Sequence, residues 1–229
     1  MIEILHEDNH ILVCVKPAGI FSQPDKSGGA DMTALILEHM KANRTGSDIH
    51  PVHRLDRNVG GVMVYAKNKA AAARLSKAIQ DNGFRKEYVA VVHNRPAEEK
   101  GTYKDLLFKD SSRNKSFVVD RPRKGVKEAS LEYEVMETKD LPVGPVTLVK
   151  IRLHTGRTHQ IRVQFSSRQM PLLGDGKYGS RDNGCELALW SYRLSFWHPD
   201  RKEYMEFTQA AAECYPWDIF AKYTREAAR

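Results

Sequence analysis

No run of about 18 apolar residues occurs anywhere in this 229-residue chain, so no transmembrane helix is expected. The opening Met1-Ile2-Glu3-Ile4-Leu5-His6-Glu7-Asp8 lacks a basic start followed by an apolar stretch, which argues against a secretory signal. Cysteine is scarce. Cys14, Cys185 and Cys214 are scattered, odd in number and form no C-x-x-C pair. Such a set fits reduced thiols of a cytoplasmic protein, each a small buried hydrophobe, better than a disulfide framework. Asn43-Arg44-Thr45 and Asn114-Lys115-Ser116 match the glycosylation pattern, which carries no weight without a signal peptide. Internal repeats, low-complexity tracts and a Gly/Ser/Pro-rich linker are missing too, so a single domain over 1–229 is expected. G-x-S-x-G, H-E-x-x-H and Walker signatures are absent.

What is present is an ordinary globular composition, 41% hydrophobic and 28% charged. Lys plus Arg number 36 against 29 Asp plus Glu, a formal charge of +7. This permits a polyanion partner, although solubility alone explains a modest surplus. Clustering is more telling. Arg113-Asn114-Lys115 and Arg121-Pro122-Arg123-Lys124-Gly125-Val126-Lys127 read as basic loops, either solvated or placed to touch phosphates.

Hydrophobic spacing gives the elements. Ile2 to Leu5 and Ile11 to Val15 read as strands around a turn at Asp8-Asn9, the second closed by Lys16-Pro17-Ala18-Gly19. Asp31 is placed to cap a helix with Met32, Leu35, Ile36 and Met40 on one face. Gly61 to Ala66 reads as a buried strand. Asn68 then caps a helix with Ala71, Ala72, Leu75, Ala78 and Ile79 inward, stopped at Asn82-Gly83. Further strands fall at Lys86 to His93, at Lys127 to Glu137 with almost strict alternation, and around Thr147 to Leu153 with Thr147, Val149, Ile151 and Leu153 facing inward. Thr158 is read as the cap of a short helix burying Ile161 and Phe165. Two strands flank His198-Pro199-Asp200, and a helix is expected after Pro216. Strands dominate and helices are inserted rather than alternating, the pattern of an α+β fold with a mixed or antiparallel sheet.

The densest polar cluster is His53-Arg54-Leu55-Asp56-Arg57-Asn58-Val59-Gly60-Gly61, ahead of a buried strand. A lone acid between two guanidiniums stays ionised at neutral pH and suits a reactive carboxylate. A salt-bridged turn explains the same residues. The second cluster, Leu153-His154-Thr155-Gly156-Arg157-Thr158-His159-Gln160-Ile161-Arg162, opens a helix with basic groups near its start. His154 and His159 invite a metal, but no third ligand stands at a familiar spacing. Gly174-Asp175-Gly176-Lys177-Tyr178-Gly179 fits G-x-G-x-x-G literally. It lacks the strand before and the helix after that a dinucleotide site requires, so it reads as a structural loop.

Together these segments resemble the pseudouridine synthases of the RluA type. The likeness runs from Val13-Cys14-Val15-Lys16-Pro17-Ala18-Gly19, similar to an N-K-P-x-G opening, to Gly174-Asp175 and Tyr178-Gly179. Its sharpest matches are His53-Arg54-Leu55-Asp56 and Thr155-Gly156-Arg157-Thr158-His159-Gln160-Ile161-Arg162, and Lys86-Glu87-Tyr88 looks like the family's tyrosine-bearing strand.

The resemblance implies isomerisation of uridine in structured ribosomal or transfer RNA. It implies a bisected, largely antiparallel sheet with flanking helices and a central RNA-binding cleft. It implies catalysis by Asp56, Tyr88 packed against the target base, Arg162 paired with Asp56, and no metal or nucleotide cofactor. His53, Arg54, Arg57, Arg123, Lys124, Arg157, His159 and Gln160 are the candidate RNA contacts, with Arg54 filling the place of the flipped base. A monomer without an N-terminal RNA-binding module is expected. One departure stands out: Asn58-Val59-Gly60 replaces the usual Thr-Ser-Gly after the aspartate, so local hydrogen bonding differs. The rival reading is a catalytically silent RNA-binding or chaperone protein on the same fold, which needs no Asp56. A metal-dependent nuclease wants clustered acids, and Asp56 has none nearby in sequence.

Overall fold

The structure, a computed structural model, describes residues 2–142, 144–182 and 184–220. In chain order the elements are β1 (Glu3–Glu7), β2 (Ile11–Lys16), α1 (Met32–Asn43), β3 (His50–Pro51), β4 (Gly60–Ala66), α2 (Lys69–Gln80) and β5 (Phe84–His93). Then follow β6 (Lys100–Asp110), β7 (Lys115–Val119), β8 (Val126–Leu141), β9 (Gly144–Leu153), α3 (Gln160–Ser166), β10 (Leu189–Trp197) and β11 (Tyr204–Thr208). The fold is α+β, and the pairs β1–β2, β2–β4, β10–β11, β5–β9, β9–β8, β8–β6 and β6–β7 run antiparallel. The chain gathers into two compact units, Met1–Lys86 with Ser191–Ala211 and Glu87–Trp190 with Ala212–Arg229.

In the first unit β1, β2, β4 and β10 lie side by side, β11 pairs with β10, and β3 with β4. Strand β2 has neighbours on both edges and is buried along its whole length, which explains its unbroken apolar run Ile-Leu-Val-Cys-Val. Register puts Ile11 opposite Ala66, Val13 opposite Val64 and Val15 opposite Val62. Helix α2 packs Ala71 and Leu75 on that core, with Phe84, Leu194 and Phe196 beside them. Both expected caps form: Asp31 accepts from Ala34 N at 3.1 Å and Asn68 from Ala71 N at 2.9 Å. Asn82, at φ 58, turns the chain out of α2, and Gly83 N then bonds Ala78 O at 2.8 Å. Gly61 permits the closest approach in this unit. A Cβ there would meet Ser191 O at 2.3 Å, so only glycine lets β4 and β10 lie together.

In the second unit the strand order is β5-β9-β8-β6-β7. The alternation of Ala129, Leu131 and Tyr133 is buried as expected. Strand β9 differs from its expectation: Val146 and Leu148 are as buried as Thr147 and Val149, because both faces are covered there. The β6–β7 hairpin adds two strands that hydrophobic spacing does not disclose. Helix α3 starts from His159, in left-handed backbone at φ 53 with no side-chain cap, rather than from Thr158. Thr158 instead offers its carbonyl to Ser116 Oγ at 2.7 Å, which takes it out of capping geometry. The cysteines also need correction. Cys14 is buried, but Cys185 is half-buried and Cys214 exposed. Residues 215–219 form turns, so the helix expected after Pro216 does not begin there, and residues 221–229 lie outside the described residues. No helix among the described residues is long and apolar enough to cross a membrane.

Candidate active site

Asp56 sits half-buried on the loop before β4, and its two neighbours are fastened to the segment after β2. On one side Leu55 N–H donates to Ser22 Oγ at 3.0 Å, and the same hydroxyl donates back to Leu55 O at 2.9 Å. On the other side Arg57 O accepts from Gly19 N at 2.9 Å, while Arg57 Nε donates to Gly19 O at 2.9 Å. The Arg57 guanidinium lies 5.1 Å from the centre of the Phe21 ring. A turn bond from Val59 N to Asp56 O, 3.0 Å, closes the loop.

Lys16 locks this arrangement from beneath. Its side chain is fully buried, and Nζ donates to Pro17 O at 2.9 Å, Ile20 O at 2.6 Å and Arg57 O at 3.0 Å. An ammonium has three donors, and all three are used. Burial pulls the Lys16 ammonium down to about 8, and the charge of Asp56 pulls it back up. A cation thus stands near the carboxylate.

Of the other residues in this cluster, Arg54 and Arg57 are exposed. His53 is buried against Phe84, its Nε2 accepting from Val64 N at 3.2 Å. That fixes the proton on Nδ1, which has no hydrogen-bond partner among the described residues. Burial, aided by Lys86, drives the imidazole down to about 3, so His53 is neutral.

Tyr88, in the second unit, is a buried residue of β5 opposite Ile151. The Arg157–Arg162 segment is shaped by Gln160, whose side chain is buried. Its Oε1 accepts from Thr155 Oγ1 at 2.7 Å and Arg157 N at 3.0 Å, and its Nε2 donates to Ser130 O at 3.1 Å. Arg157 Nε donates to Glu128 O at 2.8 Å. The two histidines that invited a metal have other partners: His154 Nε2 lies 3.0 Å from Glu132 and His159 Nδ1 3.0 Å from Tyr178 Oη.

Arg162 is nearly buried and forks onto Asp175, Nε to Oδ2 at 2.7 Å and Nη2 to Oδ1 at 2.8 Å. Tyr178 lies 5.0 Å beneath the guanidinium and accepts Ser116 N at 2.8 Å through its hydroxyl. The glycine-rich stretch is therefore the scaffold of Arg162, not a nucleotide loop. Arg123 and Lys124 lie exposed between β7 and β8, the former 4.7 Å from the Phe108 ring centre.

Lys16 and Ser22 around Asp56, and Asp175 on Arg162, are partners that sequence reasoning did not assign. Two had a signal: a charge ending the apolar strand β2, and an acid embedded between glycines.

Solved structures share this fold. Human RNA Pseudouridylate Synthase Domain Containing 4 superposes with a TM-score of 0.75 at 22% identity, over 92% of this chain and 88% of that one. The model of the RNA pseudouridylate synthase family matches residues 10–167, and the chain belongs to that family. An RNA pseudouridine synthase of Aquifex aeolicus is 35% identical over 90% of this chain and 68% of its own length. Ribosomal large subunit pseudouridine synthase D of Borreliella burgdorferi is 34% identical over 84% of this chain and 60% of its own. This chain thus spans roughly two thirds of the length of these relatives.

Proposed function

We propose that this chain isomerises uridine to pseudouridine in structured ribosomal or transfer RNA, working as one catalytic domain, as a monomer in the cytoplasm. The reaction breaks the bond from C1′ of the ribose to N1 of uracil and makes one to C5. The C5 proton is released and a proton is taken up at N1, so no redox partner is needed. Family membership supports the activity. The observation that carries the assignment of Asp56 is its clamped loop, with Leu55 tied to Ser22, Arg57 tied to Gly19, and the Lys16 ammonium beneath. A silent RNA-binding protein has no need to fix the loop bearing one carboxylate so firmly, and family membership does not favour it.

In this reading Asp56 is the catalytic carboxylate, Tyr88 packs against the flipped base and Arg162 is the basic partner of the acid. A base cannot react inside a stack, and extruding it costs a few kcal/mol. Arg54, exposed and flat-headed, fills the gap it leaves. Exposed Arg57, Arg123 and Lys124, with half-buried Arg157, contact phosphates, whereas buried His53, His159 and Gln160 shape the surface those arginines occupy. No metal or nucleotide cofactor takes part, so turnover survives chelation.

Tritium release from C5-labelled uridine in RNA tests the assignment. Asp56→Asn is expected to abolish release while RNA affinity changes little. Release within about tenfold of the unaltered protein would remove Asp56 from the catalytic role.

A further inference from the structure

The second unit carries an open cavity of about 430 Å³ that none of the roles above uses. Tyr103 and Tyr133 line it, their ring centres 4.7 Å apart. Arg168 lies 3.9 Å from the Tyr103 ring centre and is held there by Asp105 through bonds of 3.0 and 3.1 Å. Arg95 and Ala97, both exposed, also line it.

The rim backbone is unusual. Asn94 and Gln169 both stand in left-handed conformation, at φ 61 and 60, and Asn94 Nδ2 donates to Gln169 O at 2.8 Å. Such residues cost on the order of 1 kcal/mol each and gather at ligand clamps. Behind Arg168, buried Gln164 donates Nε2 to Asp105 at 2.7 Å, while its Oε1 lacks a hydrogen-bond partner among the described residues.

Charge decides the ligand class. Arg168 is matched by Asp105 and Arg95 by Glu99, so the lining has no surplus positive charge for a phosphate. What remains is two phenol rings, guanidinium planes and the amides of Asn94 and Gln169. Burial and a bond to Tyr133 hold the Tyr103 phenol above its usual range, so it stays a neutral hydrogen-bonding group. Aromatic and guanidinium planes together stack nucleobases.

We propose that this cavity receives one unpaired nucleobase of the RNA, stacked on the Arg168 plane, as a base-holding site additional to that of the reacting uridine. This rests on the reading that the protein acts on RNA. It makes an unpaired nucleotide, besides the target, part of what the protein selects. A free nucleotide carries the same ring, so the test separates the two sources.

The probe is a fluorescent single-stranded oligoadenylate, which has no uridine and therefore reads binding without isomerisation. Its affinity is measured by anisotropy at fixed salt for the unaltered chain, Ala97→Trp and Arg95→Ala. Ala97→Trp fills the cavity from an exposed position. Arg95→Ala removes an exposed guanidinium whose ion pair contributes little to folding. Thermal melts confirm that each variant folds.

About tenfold weaker binding is expected for Ala97→Trp and a smaller loss for Arg95→Ala, in keeping with one stacked base. Ultraviolet cross-links of the oligoadenylate are expected on the peptides bearing Tyr103 or Tyr133. Affinity of both variants within about twofold of the unaltered chain, or cross-links confined to other peptides, overturns the proposal. Adenosine monophosphate binding as tightly as the oligonucleotide overturns it in favour of a free-nucleotide site. Tritium release from a uridine-containing RNA, assayed separately, tells failure of this site from failure of the activity.

Discussion

Arg162 and Asp175 form a two-pronged ion pair whose side chains are 10% and 1% exposed. Removing one partner of a buried pair costs about 3–5 kcal/mol, whereas replacing both with apolar groups costs far less. Asp175→Asn is therefore expected to lower the urea midpoint sharply and to slow single turnover by releasing Arg162. The double variant Arg162→Met, Asp175→Leu is expected to be more stable than either single one, yet inactive. Equal melting of Asp175→Asn and the unaltered chain would remove the pair as the support of Arg162.

Lys16 links pH to both stability and rate, with opposite signs. In the fold its ammonium titrates at about 8, and in the unfolded chain near the ordinary lysine value of about 10.4. Between those values the unfolded chain holds more protons, so the Lys16 contribution to stability rises with pH across that window; below 8 the full cost of burying the cation is present. Activity goes the other way, because a neutral amine has one donor fewer than the three carbonyls it serves and gives Asp56 no cation. Single-turnover rate is expected to fall above about pH 8, and Lys16→Met to be slow throughout with no such limb. A rate that stays level to about pH 9.5 in the unaltered chain contradicts this.

His53 acts on the acid side, together with Glu7 and Asp8, whose carboxyls, despite burial, are held below the usual range by their hydrogen bonds. Its folded value of about 3 lies below the unfolded value of about 6.5, so acid favours the unfolded chain, which binds the proton first. The His53 contribution is whole above pH 6.5 and is lost as pH falls toward 3. It amounts to a few kcal/mol. Melts of His53→Leu against pH are expected to lack that component of the acid slope, although the variant starts less stable because Val64 N loses its acceptor. Parallel slopes for the two proteins would place the acid sensitivity elsewhere.

Lys124 is exposed on the loop between β7 and β8, a setting for phosphate contact without a part in chemistry. Lys124→Ala is expected to weaken RNA binding and to reduce the salt slope by about one, with single-turnover rate at saturating enzyme unchanged. Arg162→Ala is expected to behave oppositely, losing rate more than affinity. Identical behaviour of the two variants would reassign Arg162 to phosphate contact.

Features set by neighbours along the chain were legible in advance. Asp31 and Asn68 cap their helices because a short polar side chain reaches a backbone N–H three residues on, which needs no tertiary information. The alternation of β8 was readable because one of its faces is dry over Ala129, Leu131 and Tyr133. The β6–β7 hairpin was not: Leu106, Phe108 and Phe117 are all half-buried, so neither face of the hairpin shows clean contrast. Asp56 stood out as a lone acid between arginines, but its clamp could not be read. Ser22 and Leu55 are 33 positions apart, and Lys16 and Arg57 are 41 apart. Thr158 lost the capping position because Ser116, 42 residues away, takes its carbonyl.

The loop bonds named around Asp56 run through its own carbonyl, through Leu55 and Arg57, and through Ser22, Gly19 and Lys16. They make a socket whose shape does not depend on what it displays. Position 56 is consequently a site for chemical substitution: a cysteine there would present a thiol in a preset location, open to trapping an electrophilic uridine analogue in RNA. The Lys16 ammonium beneath it would favour the thiolate over the thiol.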